Sequence, residues 1–251
     1  MAATGKACAK RMKENTVFEA HTSYVLGLHF TRDAQTLISS GMDNVVKLWS
    51  VPSWEELRTL EGHANSVNGF SLSPDEKTLA TSSSDQTVKL WSFPDGELLH
   101  TLQDRKKVVS AVRISPDGQW VAACSYGGRA AIWTLSGEEV VGIKVSKKNL
   151  NSVVFSPDCQ TLATSGLGDD ILLWSLPGGE PLGTLSGHKT AVWGLTFVDG
   201  GRTMISLDYE GAIKFWDTGN IEEGIDRQID IIGFRLVINA DPLCDACHAV
   251  P

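Results

Sequence analysis

Short apolar runs separated by polar turns recur along this chain at a nearly constant interval. VVKLW closes on Trp49, TVKLW on Trp91 and ILLW on Trp174; with Trp133 and Trp216 these tryptophans stand 42, 42, 41 and 42 residues apart. Runs of this length bounded by turn residues read as β-strands. A period of about 40 to 45 residues ending on tryptophan marks an array in which each unit is a four-stranded meander. One such unit cannot bury its own faces, so neighbours must stack.

The polar breaks carry their own pattern. Ser73-Pro74-Asp75, Ser115-Pro116-Asp117 and Ser156-Pro157-Asp158 each precede their tryptophan by 16 to 18 residues. Proline presets φ and aspartate bonds its own backbone, so each triplet ends one strand before the next begins. Thr31-Arg32-Asp33 holds this slot in the first unit, and Val198-Asp199-Gly200 lies near it in the fifth. Each unit therefore reads as an inner strand (VNGFSLS in the second), a middle strand (TLATSSS), a third strand (TVKLWSF) and an outer strand (ELLHTL). The short connections leave no space for an inserted catalytic domain.

Twenty-eight residues before the tryptophan stands His21, His63 or His188 in three units. Ten before it stands Ser39, Thr81, Ala123, Thr164 or Ser206, and six before it Asp43, Asp85, Gly127, Gly168 or Glu210. With these offsets the chain resembles the WD-repeat β-propeller family over residues 14–218. The resemblance implies an all-β propeller of four-stranded antiparallel blades, five of them recognisable, with hydrogen-bonded sets inside the blades. His21, Ser39, Asp43 and Trp49 form one expected set, and His63, Thr81, Asp85 and Trp91 a second. His188, Ser206 and Trp216 belong to a third, altered by Glu210. A buried imidazole needs both nitrogens satisfied, which a carboxylate and a hydroxyl can do. Units three and four lack the set, with Arg105 and Ser146 in the histidine slot.

Composition narrows the function. Of 251 residues, 42% are hydrophobic and 21% charged, as in an ordinary globular protein. The net charge of −8 opposes general binding to nucleic acid or an anionic membrane. No apolar run is long enough to span a bilayer. The first residues, read as a flexible segment over 1–13, show no secretory pattern, and the five cysteines are odd in number and scattered. The expected location is the cytoplasm.

An Asp-His-Ser set invites a hydrolase reading. It recurs once per blade where packing demands it, whereas a nucleophile must be exposed in a cleft, so no catalytic residue is assigned. An enzyme with its site at the propeller opening stays as an alternative. A second alternative rests on Cys244-Asp245-Ala246-Cys247-His248, the CxxCH pattern of covalent haem attachment. Cys244, Cys247 and His248 are also candidate zinc ligands, with Cys8 as a fourth if the chain ends meet. No cofactor is expected on the leading reading.

That reading is a non-catalytic interaction scaffold. In the family it resembles, the positions 23 and seven residues before each tryptophan line a rim that holds peptides and partner domains. In this chain the first series is Leu26, Asn68, Ser110, Asn151 and Trp193, and the second Met42, Ser84, Tyr126, Leu167 and Tyr209. Tyr24 lies beside the first, so all three tyrosines map to this rim. Aromatics and methionine concentrate binding energy at interfaces. Asn68, Ser84 and Asn151 are the expected sources of polar specificity. Two basic clusters, Arg105-Lys106-Lys107 and Lys144 with Lys147-Lys148, fall in the outer-to-inner connections around blades three and four and predict a positive edge for an acidic or phosphorylated segment.

At the ends the period weakens. IIGFRLVINADP resembles an inner strand, but no sixth tryptophan follows, so residues 219–251 read either as a partial sixth blade or as a divergent tail. ENTVFEA is expected as an outer strand completing the last blade. An unclosed ring would expose its end sheets and self-associate.

Overall fold

The computed structural model describes residues 18–103 and 107–219. These residues fold as the sequence predicts, into five antiparallel sheets. The first holds β1 (Val25–Phe30), β2 (Thr36–Gly41), β3 (Val46–Ser50) and β4 (Glu56–Leu60). The second holds β5 (Val67–Leu72), β6 (Thr78–Ser83), β7 (Thr87–Ser92) and β8 (Leu98–Gln103). The third holds β9 (Val109–Ile114), β10 (Trp120–Ser125), β11 (Arg129–Thr134) and β12 (Glu139–Lys144). The fourth holds β13 (Leu150–Phe155), β14 (Thr161–Gly166), β15 (Ile171–Ser175) and β16 (Pro181–Leu185). The fifth has three strands among the described residues: β17 (Val192–Val198), β18 (Thr203–Asp208) and β19 (Ile213–Asp217). Within every sheet, strands follow chain order as a meander.

The turn triplets work through their side chains. Ser73 Oγ donates to Asp75 Oδ1 at 2.6 Å, and the same oxygen accepts from Lys77 N at 3.1 Å. Thr31 with Asp33, Ser115 with Asp117 and Ser156 with Asp158 repeat the bond. In the fifth sheet a turn of 3-10 helix, Asp199–Gly201, takes its place.

Blades stack through a fixed set of positions. The first, fourth and sixth residues of β5 (Val67, Phe70, Leu72) pack on Ile38, Val46 and Leu48 of the blade before. Val109, Val112 and Ile114 pack on Ala80, Val88 and Leu90. Leu150, Val153 and Phe155 meet Ala122, Ala130 and Ile132, and Val192, Leu195 and Phe197 meet Ala163, Ile171 and Leu173. Each fully buried aliphatic side chain contributes about 1.5–3 kcal/mol, so these four junctions hold the array together. The tryptophans Trp91, Trp133, Trp174 and Trp216 lie in the same clusters.

Among the described residues, the outermost faces leave such positions uncovered. Val25, Leu28 and Phe30 on the first blade are exposed, as are Ile213 and Phe215 on the fifth, with Leu207 beside them. Phe18 stacks on Trp49 at 4.9 Å between ring centroids and lies 6.1 Å from Trp54, covering the ring that other blades bury in a junction. Of the expected outer strand ENTVFEA only residues 18–20 are described. These three are not strand, and Phe18 meets Trp49 as the outer-strand residues Leu60, Leu102 and Ile143 meet Trp91, Trp133 and Trp174 of the blade that follows each. Residues 219–251 lie outside the described region apart from Gly219. Among the described residues, no helix is long and apolar enough to cross a membrane.

Candidate functional site

Three blades carry a hydrogen-bonded chain that runs from tryptophan to carboxylate. Trp91 Nε1 donates to Thr81 Oγ1 at 2.9 Å, that hydroxyl lies 2.7 Å from His63 Nε2, and His63 Nδ1 lies 2.7 Å from Asp85 Oδ2. The consistent protonation has the hydroxyl donating to Nε2 and Nδ1–H donating to the carboxylate. In the first blade Trp49, Ser39, His21 and Asp43 repeat it at 2.8, 2.7 and 2.8 Å. This is also the bonding order of a hydrolase triad. Here, however, Ser39, Thr81 and Ser206 are buried, and each oxygen already accepts an indole N–H. No substrate carbonyl can approach an oxygen so enclosed.

Burial lowers the His63 pKa below the ordinary imidazole value, outweighing the opposite pull of the Asp85 hydrogen bond. For Asp85, burial opposes the charge, but bonds from Thr87, His63 and the Ala64 N–H prevail and bring its pKa to about 2. Neutral histidine and charged aspartate therefore share the site at neutral pH.

The fifth blade departs from the expected pattern. His188 Nδ1 meets Asp208 Oδ2 at 2.8 Å, and Nε2 meets Ser206 Oγ at 2.6 Å; Glu210 stays exposed in the turn. The reason is visible in the first blade. A Cβ on Gly41, the counterpart of Asp208, would lie 2.6 Å from Asp43 Oδ1 and 2.7 Å from His21 Nδ1. That position points at the imidazole, so a carboxylate there reaches it from the strand end instead of from the turn.

In blades three and four glycine replaces the turn aspartate, and a lysine lies over it. A Cβ on Gly127 would touch the Lys107 stem at 3.5–3.7 Å, and one on Gly168 would lie 3.9–4.0 Å from Lys148 Cδ and Nζ. Lys107, Lys144, Lys147 and Lys148 are exposed; Arg105 and Lys106 lie outside the described residues. The empty histidine slot of blade four is a cavity of about 270 Å³ lined by Ser146, Lys148, Thr164, Gly168 and Asp170 among others.

Every residue of the series 23 before tryptophan sits in a β-bulge. The register between inner and middle strands shifts across Leu26, Asn68, Ser110, Asn151 and Trp193. A bulge leaves one residue unpaired and re-aims its side chain, and all five line one central channel of about 530 Å³. The residue seven before tryptophan is fixed above it by one repeated backbone bond: Met42 N to Tyr24 O at 2.9 Å, Ser84 to Ser66 at 3.0 Å, Tyr126 to Val108 at 2.9 Å, Leu167 to Asn149 at 2.8 Å, Tyr209 to Ala191 at 2.9 Å. The two series thus form one ring of side chains around the channel mouth.

On this ring Tyr24 and Tyr209 are each 76% exposed, Trp193 46% and Tyr126 38%; Met42 and Leu26 are exposed too. Trp193 and Tyr209 neighbour each other, with ring centroids 6.3 Å apart. The polar members differ in availability. Asn68 Nδ2 is held by Ser84 Oγ at 3.1 Å and by Val109 O at 2.9 Å, bracing two blades. Asn151 Nδ2 is buried with no hydrogen-bond partner among the described residues.

Three features escaped the sequence reading: Asp208, the lysines folded over Gly127 and Gly168, and Arg113, which lines the channel. Asp208 stands eight residues before its tryptophan, a slot held elsewhere by Gly41, Ser83, Ser125 and Gly166. Among the described residues, no cluster of three or more His, Cys, Asp or Glu could hold a metal; Cys8, Cys244, Cys247 and His248 lie outside them. The family model described as IFT122 first beta-propeller matches residues 19–233. Among curated proteins none matches.

Proposed function

Because this chain belongs to the family of the IFT122 first beta-propeller, we propose that it is a non-catalytic protein-interaction scaffold that binds a peptide or protein segment on its bulge-built rim. The observation that carries the reading is the exposed pair Trp193 and Tyr209 beside the channel mouth. Large rings held on fixed backbone bury much area at little entropic cost, which is how interface hot spots work. Tyr24, Met42 and Tyr126 extend the same surface around the mouth. A partner carrying acidic residues suits the lysines of blades three and four, within a chain whose net charge of −8 disfavours nucleic acid and anionic membrane. A cytoplasmic setting fits the scattered cysteines, of which Cys124 and Cys159 are buried.

The test is affinity capture with the full chain and with Trp193→Ala/Tyr209→Ala, read by mass spectrometry and followed by binding assays on recovered partners. A loss of at least tenfold in affinity with unchanged melting temperature is expected. Partners retained at full affinity by the double variant would overturn the rim assignment.

A further inference from the structure

The channel below the rim has a charge pattern that the rest of the chain lacks. Among its lining residues are Arg113 and His29 but no aspartate or glutamate, although acidic residues outnumber basic ones, 30 to 22, in the whole sequence. Arg113 sits on β9, and its Nη1 donates to the carbonyl of Val112 at 2.8 Å. No carboxylate forms an ion pair with it among the described residues. A guanidinium has five N–H donors in a fork matched to a carboxylate, so most of this capacity faces the channel.

The Arg113 side chain is exposed to the channel it lines. A carboxylate entering the channel can pair with it through charge-assisted hydrogen bonds. Asn151 supplies a second unmet donor on the neighbouring blade, since its Nδ2 is buried without a partner among the described residues while Asn68 at the same bulge position is satisfied. Three residues of strand separate the two positions, about 10 Å along the channel, with Asn151 nearer the mouth. An extended segment crossing the rim passes Asn151 first, whose Nδ2 must turn out of its buried position to donate, and can send a side chain down to the guanidinium.

We propose that the central channel is an acid-accepting subsite, in which the carboxylate of a glutamate or aspartate side chain from a rim-bound partner segment pairs with Arg113 while Asn151 donates to that segment near the mouth. The assignment rests on the rim reading and adds the chemistry of the inserted side chain. Arg113 sets specificity for an acid, and Asn151 orients the segment that presents it.

The test uses a random dodecapeptide display library selected on the full chain, on Arg113→Gln, on Arg113→Lys and on Trp193→Ala/Tyr209→Ala. Peptides selected by the unaltered chain should carry Asp or Glu at one fixed position. Changing that residue to its amide, or Arg113 to Gln, should each weaken binding at least tenfold in fluorescence anisotropy, and the two changes together should cost no more than either. Arg113→Lys should restore part of the loss, and circular dichroism melting should show all variants folded. Peptides that need Trp193 and Tyr209 but ignore Arg113 would overturn the channel assignment and leave the rim intact. A library yielding no rim-dependent peptide would overturn both.

Discussion

Asp208 closes on His188 at 2.8 Å from the end of β18, although the turn residue Glu210 stands where the first two blades place their aspartate. The same carboxylate accepts the N–H groups of Ala212 at 2.9 Å and Glu210 at 3.1 Å, so it also shapes the turn. Asp208→Asn should lower the melting temperature clearly, whereas Glu210→Gln should leave it within the range of ordinary surface substitutions, about ±0.5 kcal/mol. Equal effects from the two variants in thermal melts would contradict this geometry.

Acid should loosen the second blade in two stages. His63 has a folded pKa below 6.5, so the unfolded chain binds its proton first, and stability falls as pH drops through 6.5 toward the folded value. Asp85 is depressed from 3.8 to about 2, so its contribution is present above 3.8 and disappears as pH falls through 2. The Asp85 side chain is only 9% exposed, and allowing for partial screening the expected size is about 1–2 kcal/mol. Urea titrations between pH 7.5 and 3 should show His63→Gln with a flatter profile below pH 6.5; a profile parallel to the unaltered chain would refute the assignment.

Blade four can be given back what it lacks. A Cβ on Gly168 meets nothing closer than 3.9 Å, and the adjoining cavity lies beside Ser146 and Thr164. Ser146→His with Gly168→Asp should therefore rebuild the chain to Trp174, whose Nε1 already donates to Thr164 Oγ1 at 2.9 Å. A gain of about 1 kcal/mol is expected for the pair, with positive coupling in a double-mutant cycle. Placing the acid two residues earlier should fail, since a Cβ on Gly166 would lie 2.0 Å from the Asn149 carbonyl oxygen.

Charge reversal tests the positive edge. Lys107→Glu with Lys148→Glu should reduce capture of an acidic partner several-fold at low salt and erase most of its ionic-strength dependence. Unchanged recovery at 50 mM salt would remove these lysines from the interface.

The end faces, uncovered among the described residues, carry an expectation of their own. Leu28 and Phe30 on one end, and Ile213 and Phe215 on the other, occupy positions that four internal junctions bury. Concentration-dependent self-association of the full chain is expected, weakened by Leu28→Lys or Ile213→Lys. Sedimentation showing one compact monomer at all concentrations would speak against it.

Sequence by itself determined the architecture, because each blade repeats the same backbone problem: tryptophan spacing counts the blades, turn triplets bound the strands, and alternation assigns the faces. It also placed Tyr24, Trp193 and Tyr209 on one rim, since a position at a fixed distance from tryptophan has a fixed place in the blade. Offsets identify a backbone position but not which side chain reaches a given point in space. Hence Glu210 occupies the aspartate slot while Asp208, two residues away, makes the bond, and the glycines of blades three and four show their meaning only when Lys107 and Lys148 are seen lying over them. Only the tertiary structure decided the channel, for Arg113 and Asn151 come from different blades and meet one space through the stacking of β9 and β13.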